Sequence, residues 1–198
     1  IDNSSHYRMS SDVPLVVPEV NFETAIGKKI IANPNCSTIQ LVPVLQAIHE
    51  LAGLKHVVVS TYQSVSGAGK IALDELWSQS LAVFNQQEMQ HEAFQHQIAF
   101  NCIPQIDVLL DNGFTKEEYK IINESRKILG IPDLKITATA VRVPVFYSHA
   151  ESVFVETDRP ISVEALVERL GKTPGVIAHG QAEEYPMQID VAGTDDIH

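Results

Sequence analysis

Cysteine is nearly absent from this chain: its 198 residues include two, Cys36 and Cys102. They lie far apart and form no Cys-x-x-Cys, which excludes a disulfide framework and a cysteine zinc site and suits a reducing cytoplasm. Positive charge is scarce too. Lys and Arg number 14 against 25 Asp and Glu, a net charge of -11. Nucleic acid and anionic membrane surfaces reward a basic face, so neither is expected as a partner. Small anions stay open to it wherever a few Arg and Lys converge. No apolar run approaches the roughly 20 residues that cross a bilayer, and no signal-peptide pattern occurs. The chain therefore reads as a soluble, cytoplasmic protein. Internal repeats and low-complexity tracts are missing, as are a P-loop and a complete Gly-x-Gly-x-x-Gly fingerprint. The chain opens on Ile1-Asp2-Asn3 without an initiator Met and stops at Asp196-Ile197-His198 without a closing element, so an internal piece of a longer polypeptide is expected. What remains is 44% hydrophobic and 20% charged residues, the balance of a globular domain with a substantial core.

The local patterns describe alternating helices and strands. Val13 to Asn21 is an apolar run punctuated by Pro14 and Pro18, which confine it to the border of a sheet. Ile30-Ile-Ala runs into the turn Asn33-Pro34-Asn35, after which apolar residues recur at helical spacing up to Gly53, with Pro43 expected to kink the helix or disturb its first turns. Residues 54–62 form a β-branched strand that delivers Gln63. The small-residue loop Ser64 to Lys70 lets a flat ring approach the backbone, and a helix follows it. Residues 84–104 are polar, and His91 and His96, five apart, are surface residues and not a metal pair. Thr115-Lys-Glu-Glu118 is a capping box opening a helix that Gly130 closes. Leu134 to Val143 alternates as a strand, Pro144 to His149 turns it into another, and a helix at 162–171 and a short strand near Val176 complete the pattern.

Four features carry chemistry. Cys36 stands where a loop becomes a helix, and first-turn N–H groups there stabilise a thiolate and receive an oxyanion. Gln63 ends a strand. Glu117 and Lys120 are three apart and share a helix face, which on its own describes a solvated ion pair. Arg142 precedes His149 by seven residues. A thiol with an imidazole supplies a nucleophile and a general acid/base, and Arg is the natural partner of a carboxylate. A cysteine hydrolase fits these residues as well.

Beyond these features, Asn3-Ser-Ser-His-Tyr-Arg8, Pro34-Asn-Cys36-Ser-Thr-Ile-Gln, Ser60-Thr-Tyr-Gln63-Ser-Val-Ser-Gly-Ala-Gly, Ile103-Pro-Gln-Ile-Asp, the Glu117–Ile128 helix and Val141-Arg142-Val-Pro-Val-Phe-Tyr-Ser-His149 follow one another along the whole chain. Together they resemble the bacterial aspartate-semialdehyde dehydrogenase family. The resemblance implies an α/β fold of the glyceraldehyde-3-phosphate-dehydrogenase-like catalytic type, with a mixed sheet and helices packed on one face. It divides the chain into residues 1–33, an edge of an NADP-binding domain, and residues 34–198, a catalytic and dimerisation domain. The implied reaction is NADP-dependent reduction of L-aspartyl-4-phosphate to L-aspartate-4-semialdehyde and phosphate, on the route to lysine, threonine, methionine and diaminopimelate. Cys36 resembles the thiol that forms the acyl-enzyme, His149 its acid/base partner, and Gln63 the residue that orients the acyl group. Arg142 resembles the ligand of the substrate α-carboxylate, Glu117 that of its amino group, and Lys120 and Arg8 the phosphate ligands. Ser66 and Gly67 would lie along the nicotinamide. A homodimer or homotetramer is implied. The family's glycine-rich phosphate-binding turn has no counterpart here, so these residues alone are expected to bind NADP poorly. The rivals are an N-acetyl-glutamyl-phosphate reductase, which Glu117 disfavours because an acetylated amine needs no carboxylate, and a non-catalytic family member.

Overall fold

The computed structural model describes residues 1–180 and 185–198. Its frame is a three-stranded mixed sheet of β1 (Leu54–Gln63), β2 (Lys135–Arg142) and β3 (His149–Thr157), with β1 central, β2 parallel to it and β3 antiparallel. β2 and β3 are consecutive in the chain but do not pair. Residues 143–148 carry the chain across the end of β1, where Val65 and Ser66 donate to the carbonyls of Val145 and Phe146. Among the helices, α1 (Pro18–Asn21) is a single turn, and α2 (Cys36–Ala52), α3 (Lys70–Asn85), α4 (Lys116–Leu129) and α5 (Val163–Leu170) are longer.

One sheet face carries Val57, Val59, Thr61 and Gln63 of β1 beside Ile136, Ala138, Ala140 and Arg142 of β2, all buried. Period-two alternation puts these residues together, and α2 and α4 cover them through Leu41, Leu45, Ile48, Ile121 and Ile122. Glu118 ties α4 to β2. One of its carboxylate oxygens completes the capping box on the Thr115 N–H and the other accepts the Ala140 N–H. The capping box and the left-handed Gly130 stop of α4 stand where the sequence puts them.

Two local expectations are corrected. The run from Val13 to Asn21 makes only an isolated bridge, Leu15 to Ala32, and then turns helical at Pro18, whose fixed φ and missing N–H suit a first helical turn. Near Val176 a single bridge to Ile197 replaces the strand. Pro43 lies inside α2, which runs on from Cys36 to Ala52 and stops at a positive-φ Gly53. No helix among the described residues is long and apolar enough to cross a membrane.

Candidate active site

The functional side chains meet because of chain direction. β1 and β2 end at Gln63 and Arg142, whereas β3 begins at His149, and these three residues are aligned in one row of the sheet. α2 leads into β1 through the turn at Gly53, so it runs the opposite way and brings its first residue, Cys36, back to the same end. The first turn of α4 arrives there as well and contributes Glu117 and Lys120. Two helix N-termini thus face a cavity of about 660 Å³ lined by Arg8, Asn35, Cys36, Gln63, Gly67, Glu117, Lys120 and Arg142, and their dipoles favour anions.

Asn35 organises the nucleophile turn. As the cap of α2 it accepts the Ser37 N–H at 3.0 Å and the Thr38 N–H at 3.3 Å, and its own amide donates to Glu117 Oε1 at 2.7 Å. The Asn35 backbone N–H is spent on Glu124 Oε2 at 2.6 Å, so it is not free to serve an oxyanion. The Cys36 N–H has no acceptor among the described residues. The thiol also departs from expectation. Burial by the cavity walls, then the negative charge of Glu117, push its pKa up, and the Ser37 and Cys36 N–H groups and Arg142 offset this only in part. A ligand ammonium on Glu117 would offset that negative charge and lower the thiol pKa again.

Gln63, 1% exposed, directs its amide N–H groups inward to Ser37 Oγ at 3.0 Å and to Thr61 Oγ1 and Glu117 Oε1 at 3.3 Å. Its donors are engaged, which leaves the side-chain carbonyl as its free end. Arg142 is buried, gives one N–H to Ser64 O at 2.7 Å, and lies over the Phe94 ring at 6.0 Å. Lys120 is held by two carboxylates, Glu117 at 3.1 Å and Asp107 at 2.8 Å. Arg8 is anchored by Glu124 at 3.1 Å and by the carbonyls of Ser4 and Asn3. A guanidinium has five N–H groups, so two remain for the cavity.

His149 stands behind Gly67. A Cβ on Gly67 would come within 3.2 Å of His149 Nε2 and 3.3 Å of Arg142 Nη1, so the glycine is required for close approach and not for its φ. The Ser64 N–H donates to His149 Nδ1 at 3.1 Å. That bond makes Nδ1 an acceptor and puts the proton of the neutral ring on Nε2. Burial, followed by Arg142, lowers the imidazole pKa, against a raising contribution from the Ser148 backbone, so the resting ring is neutral. Ser66 Oγ meets Ser64 Oγ at 3.0 Å. His91 and His96 are exposed, and no cluster of three metal-ligating side chains occurs among the described residues.

Sequence reasoning missed four participants. Asp107 neutralises part of Lys120. Glu124 follows Glu117 by seven residues, the same helix face two turns on, and that spacing was the available signal. Lys127 gives its ammonium to the carbonyls of Arg8, Ser10 and Val13 at 2.7–2.9 Å, tying the Arg8 segment to α4. Glu151 lies two residues after His149 on the same strand face, with Oε1 buried and without a hydrogen-bond partner among the described residues, and burial lifts its carboxyl to about 8 despite a lowering from Gln40.

Comparison with known proteins follows the same lines. A family profile described as the semialdehyde dehydrogenase dimerisation domain matches residues 41–198. The aspartate-semialdehyde dehydrogenase of Aquifex aeolicus is 52% identical over all of this chain and 60% of its own length. The crystal structure of aspartate semialdehyde dehydrogenase II from Vibrio cholerae complexed with ASA superposes at a TM-score of 0.93 with 47% identity, over 98% of this chain and 58% of that one. An aspartate semialdehyde dehydrogenase with NADP from Candida albicans gives 0.60 and 28%, over 86% of this chain and 47% of its own. The chain thus spans about 60% of the length of such curated relatives. On the profile match and this likeness, with a glyceraldehyde-3-phosphate-dehydrogenase-like α/β fold, the chain belongs to the semialdehyde dehydrogenase dimerisation-domain family.

Proposed function

We propose that this chain is the catalytic and dimerisation portion of an aspartate-semialdehyde dehydrogenase, acting by a cysteine acyl-enzyme in amino-acid biosynthesis. The observation that carries the reading is the convergence in one cavity of a thiol, a carboxylate suited to an amine, and three cations suited to a carboxylate and a phosphate. On this reading Arg142 grips the α-carboxylate, Glu117 takes the amino group, and Arg8 and Lys120 take the phosphate. The rival acyl-phosphate reductase for an N-acetylated substrate is disfavoured by Glu117, a buried carboxylate with no amine to meet in that case.

The Cys36 sulfur, as thiolate, attacks the carbonyl carbon; the C–O bond to phosphate breaks and a thioester forms. Gln63 and the Cys36 N–H sit beside that carbon, the N–H as donor to the oxyanion. Gly67 lines the cavity and, having no side chain, presents bare backbone there with His149 packed close behind it, so the residues present fit a nicotinamide held along Ser66 and Gly67. NADPH, when bound, supplies the hydride that reduces the thioester. The thiohemiacetal oxyanion on Cys36 then collapses: its C–S bond breaks, aldehyde is released and the thiolate is regenerated, with His149 Nε2–H as hydrogen-bond donor to the leaving sulfur. The pyrophosphate would be held by a glycine-rich turn at a helix start contributed from outside these residues. We assign residues 1–33 to the edge of that cofactor domain and 34–198 to the catalytic domain. The open sheet face, where Tyr62 and Phe154 are 43% and 64% exposed, is the surface for a homodimer, and a tetramer would pair two such dimers.

A trapping experiment on the full-length enzyme tests the reading. Semialdehyde and NADP without phosphate should give a burst of one NADPH per site and an acyl adduct on the Cys36 peptide. Turnover should require phosphate. An adduct elsewhere, or turnover independent of phosphate, would refute it.

A further inference from the structure

Glu124 touches neither the thiol nor the cavity, yet it holds both halves of the site. It is 2% exposed. Its Oε1 accepts from Arg8 Nη1 at 3.1 Å and its Oε2 from the Asn35 N–H at 2.6 Å. Arg8 lies on a segment that Lys127 fastens to the same helix, and Asn35 immediately precedes Cys36 and caps its helix. One rigid carboxylate on α4 therefore fixes the separation between a guanidinium facing the cavity and the turn bearing the nucleophile. In an acyl phosphate the phosphorus and the carbonyl carbon are separated by a single oxygen, so a site that binds one and attacks the other has to hold that spacing closely.

We infer that Glu124 is a positioning residue that couples anion binding at Arg8 to the geometry of the Asn35–Cys36 turn. This rests on the function proposed above. Breaking either hydrogen bond frees one half to move relative to the other. A side-chain amide in its place keeps the volume but offers one acceptor where the site needs two. The effect is expected to be largest at the phosphate end, because Arg142 is held by Ser64, and Glu117 also by Gln63 and Lys120, none of which bonds to Glu124.

The experiment uses the full-length enzyme and iodoacetamide, with inorganic phosphate as the probe. Phosphate should slow alkylation of Cys36 in the wild type. In Glu124→Gln that protection should weaken by about tenfold in phosphate concentration, and the KM for phosphate should rise by a similar factor while the KM for the semialdehyde stays within about twofold. A cycle with Arg8→Gln should be strongly non-additive for phosphate. Equal protection in wild type and Glu124→Gln, or additivity in the cycle, overturns the inference while leaving the proposed function standing. Absence of any phosphate effect in the wild type removes the anion role of Arg8, and the inference with it. Should Glu124→Gln fail to fold, Arg8→Gln alone tests the coupling from its other end. It should change the rate of Cys36 alkylation in phosphate-free buffer several-fold, and an unchanged rate overturns the coupling.

Discussion

The two faces of the sheet are made by the same three strands, residue by residue in alternation, and they differ in almost everything else. On the covered face, Val57, Val59, Ile136 and Ala138 fill the core under α2 and α4, and the last row, Gln63, Arg142 and His149, supplies chemistry. On the other, Tyr62, Thr137, Thr139, Ser152 and Phe154 are exposed. Helix cover decides the difference. Where helices lie over the strands, polar groups are desolvated and pairing stabilises them, as it does Gln63 and Glu117; where they do not, polar and apolar residues share an exposed surface. The covered face is stabilised by what it buries, and the open face is free to serve association.

Predictions on the two faces should therefore diverge, beginning with the largest effect. Cys36→Ser in the full-length enzyme should lose at least about a thousandfold in kcat with its melting temperature held, whereas Cys102→Ser, exposed and not among the cavity-lining residues, should be nearly neutral. Activity within a few-fold of wild type would remove Cys36 as nucleophile. Next, Ile136→Ala on the covered face should cost about 2–5 kcal/mol in urea unfolding. A cost below about 0.5 kcal/mol would mean that the helix layer is not the source of stability.

Glu151, also on the covered face, gives a pH-dependent test. Its carboxyl is lifted from the ordinary 4.5 to about 8 by burial, so it binds its proton more tightly folded than unfolded. The contribution is fully present below the unfolded pKa and is lost as pH rises to about 8. Glu151→Gln abolishes that titration, so the variant should gain on the wild type between pH 5 and 8, by up to a few kcal/mol, and then hold its lead. Parallel stability curves from pH 5 to 9 would show that the carboxyl ionises freely.

Arg142→Lys keeps charge but loses the planar fork, so the KM for semialdehyde should rise about tenfold or more, with a smaller loss in kcat. An unchanged KM would take Arg142 out of substrate binding. The smallest effect on stability belongs to the open face. Phe154→Ala should shift unfolding by no more than about 0.5 kcal/mol yet weaken self-association in sedimentation experiments. A variant that unfolds early, or that associates as the wild type does, would erase the contrast between the faces.

Much of this was legible without coordinates. The α4 capping box, the Gly53 and Gly130 stops, the β1 run into Gln63 and the position of Cys36 at a helix start are short-range matters of propensity and capping, and each stands where the residues put it. Misreadings arose where neighbours in space overrode neighbours in sequence. Val13 to Asn21 is apolar because it packs on α2 and α4, with only Leu15 meeting Ala32 across a bridge, and not because it extends a sheet.

What the sequence determined by itself is the set of elements and the chemical identity of the groups they carry, since helix caps, strand alternation and turn residues act over a few positions. Tertiary structure decided how those groups are spent. That the Asn35 N–H goes to Glu124 and that the proton of His149 sits on Nε2 depend on atoms tens of residues apart meeting within about 3 Å, and that burial and then Glu117 raise the Cys36 thiol depends on the cavity those elements close. Hydrogen bonds and Coulomb interactions depend on distance through space, which separation along the chain does not encode.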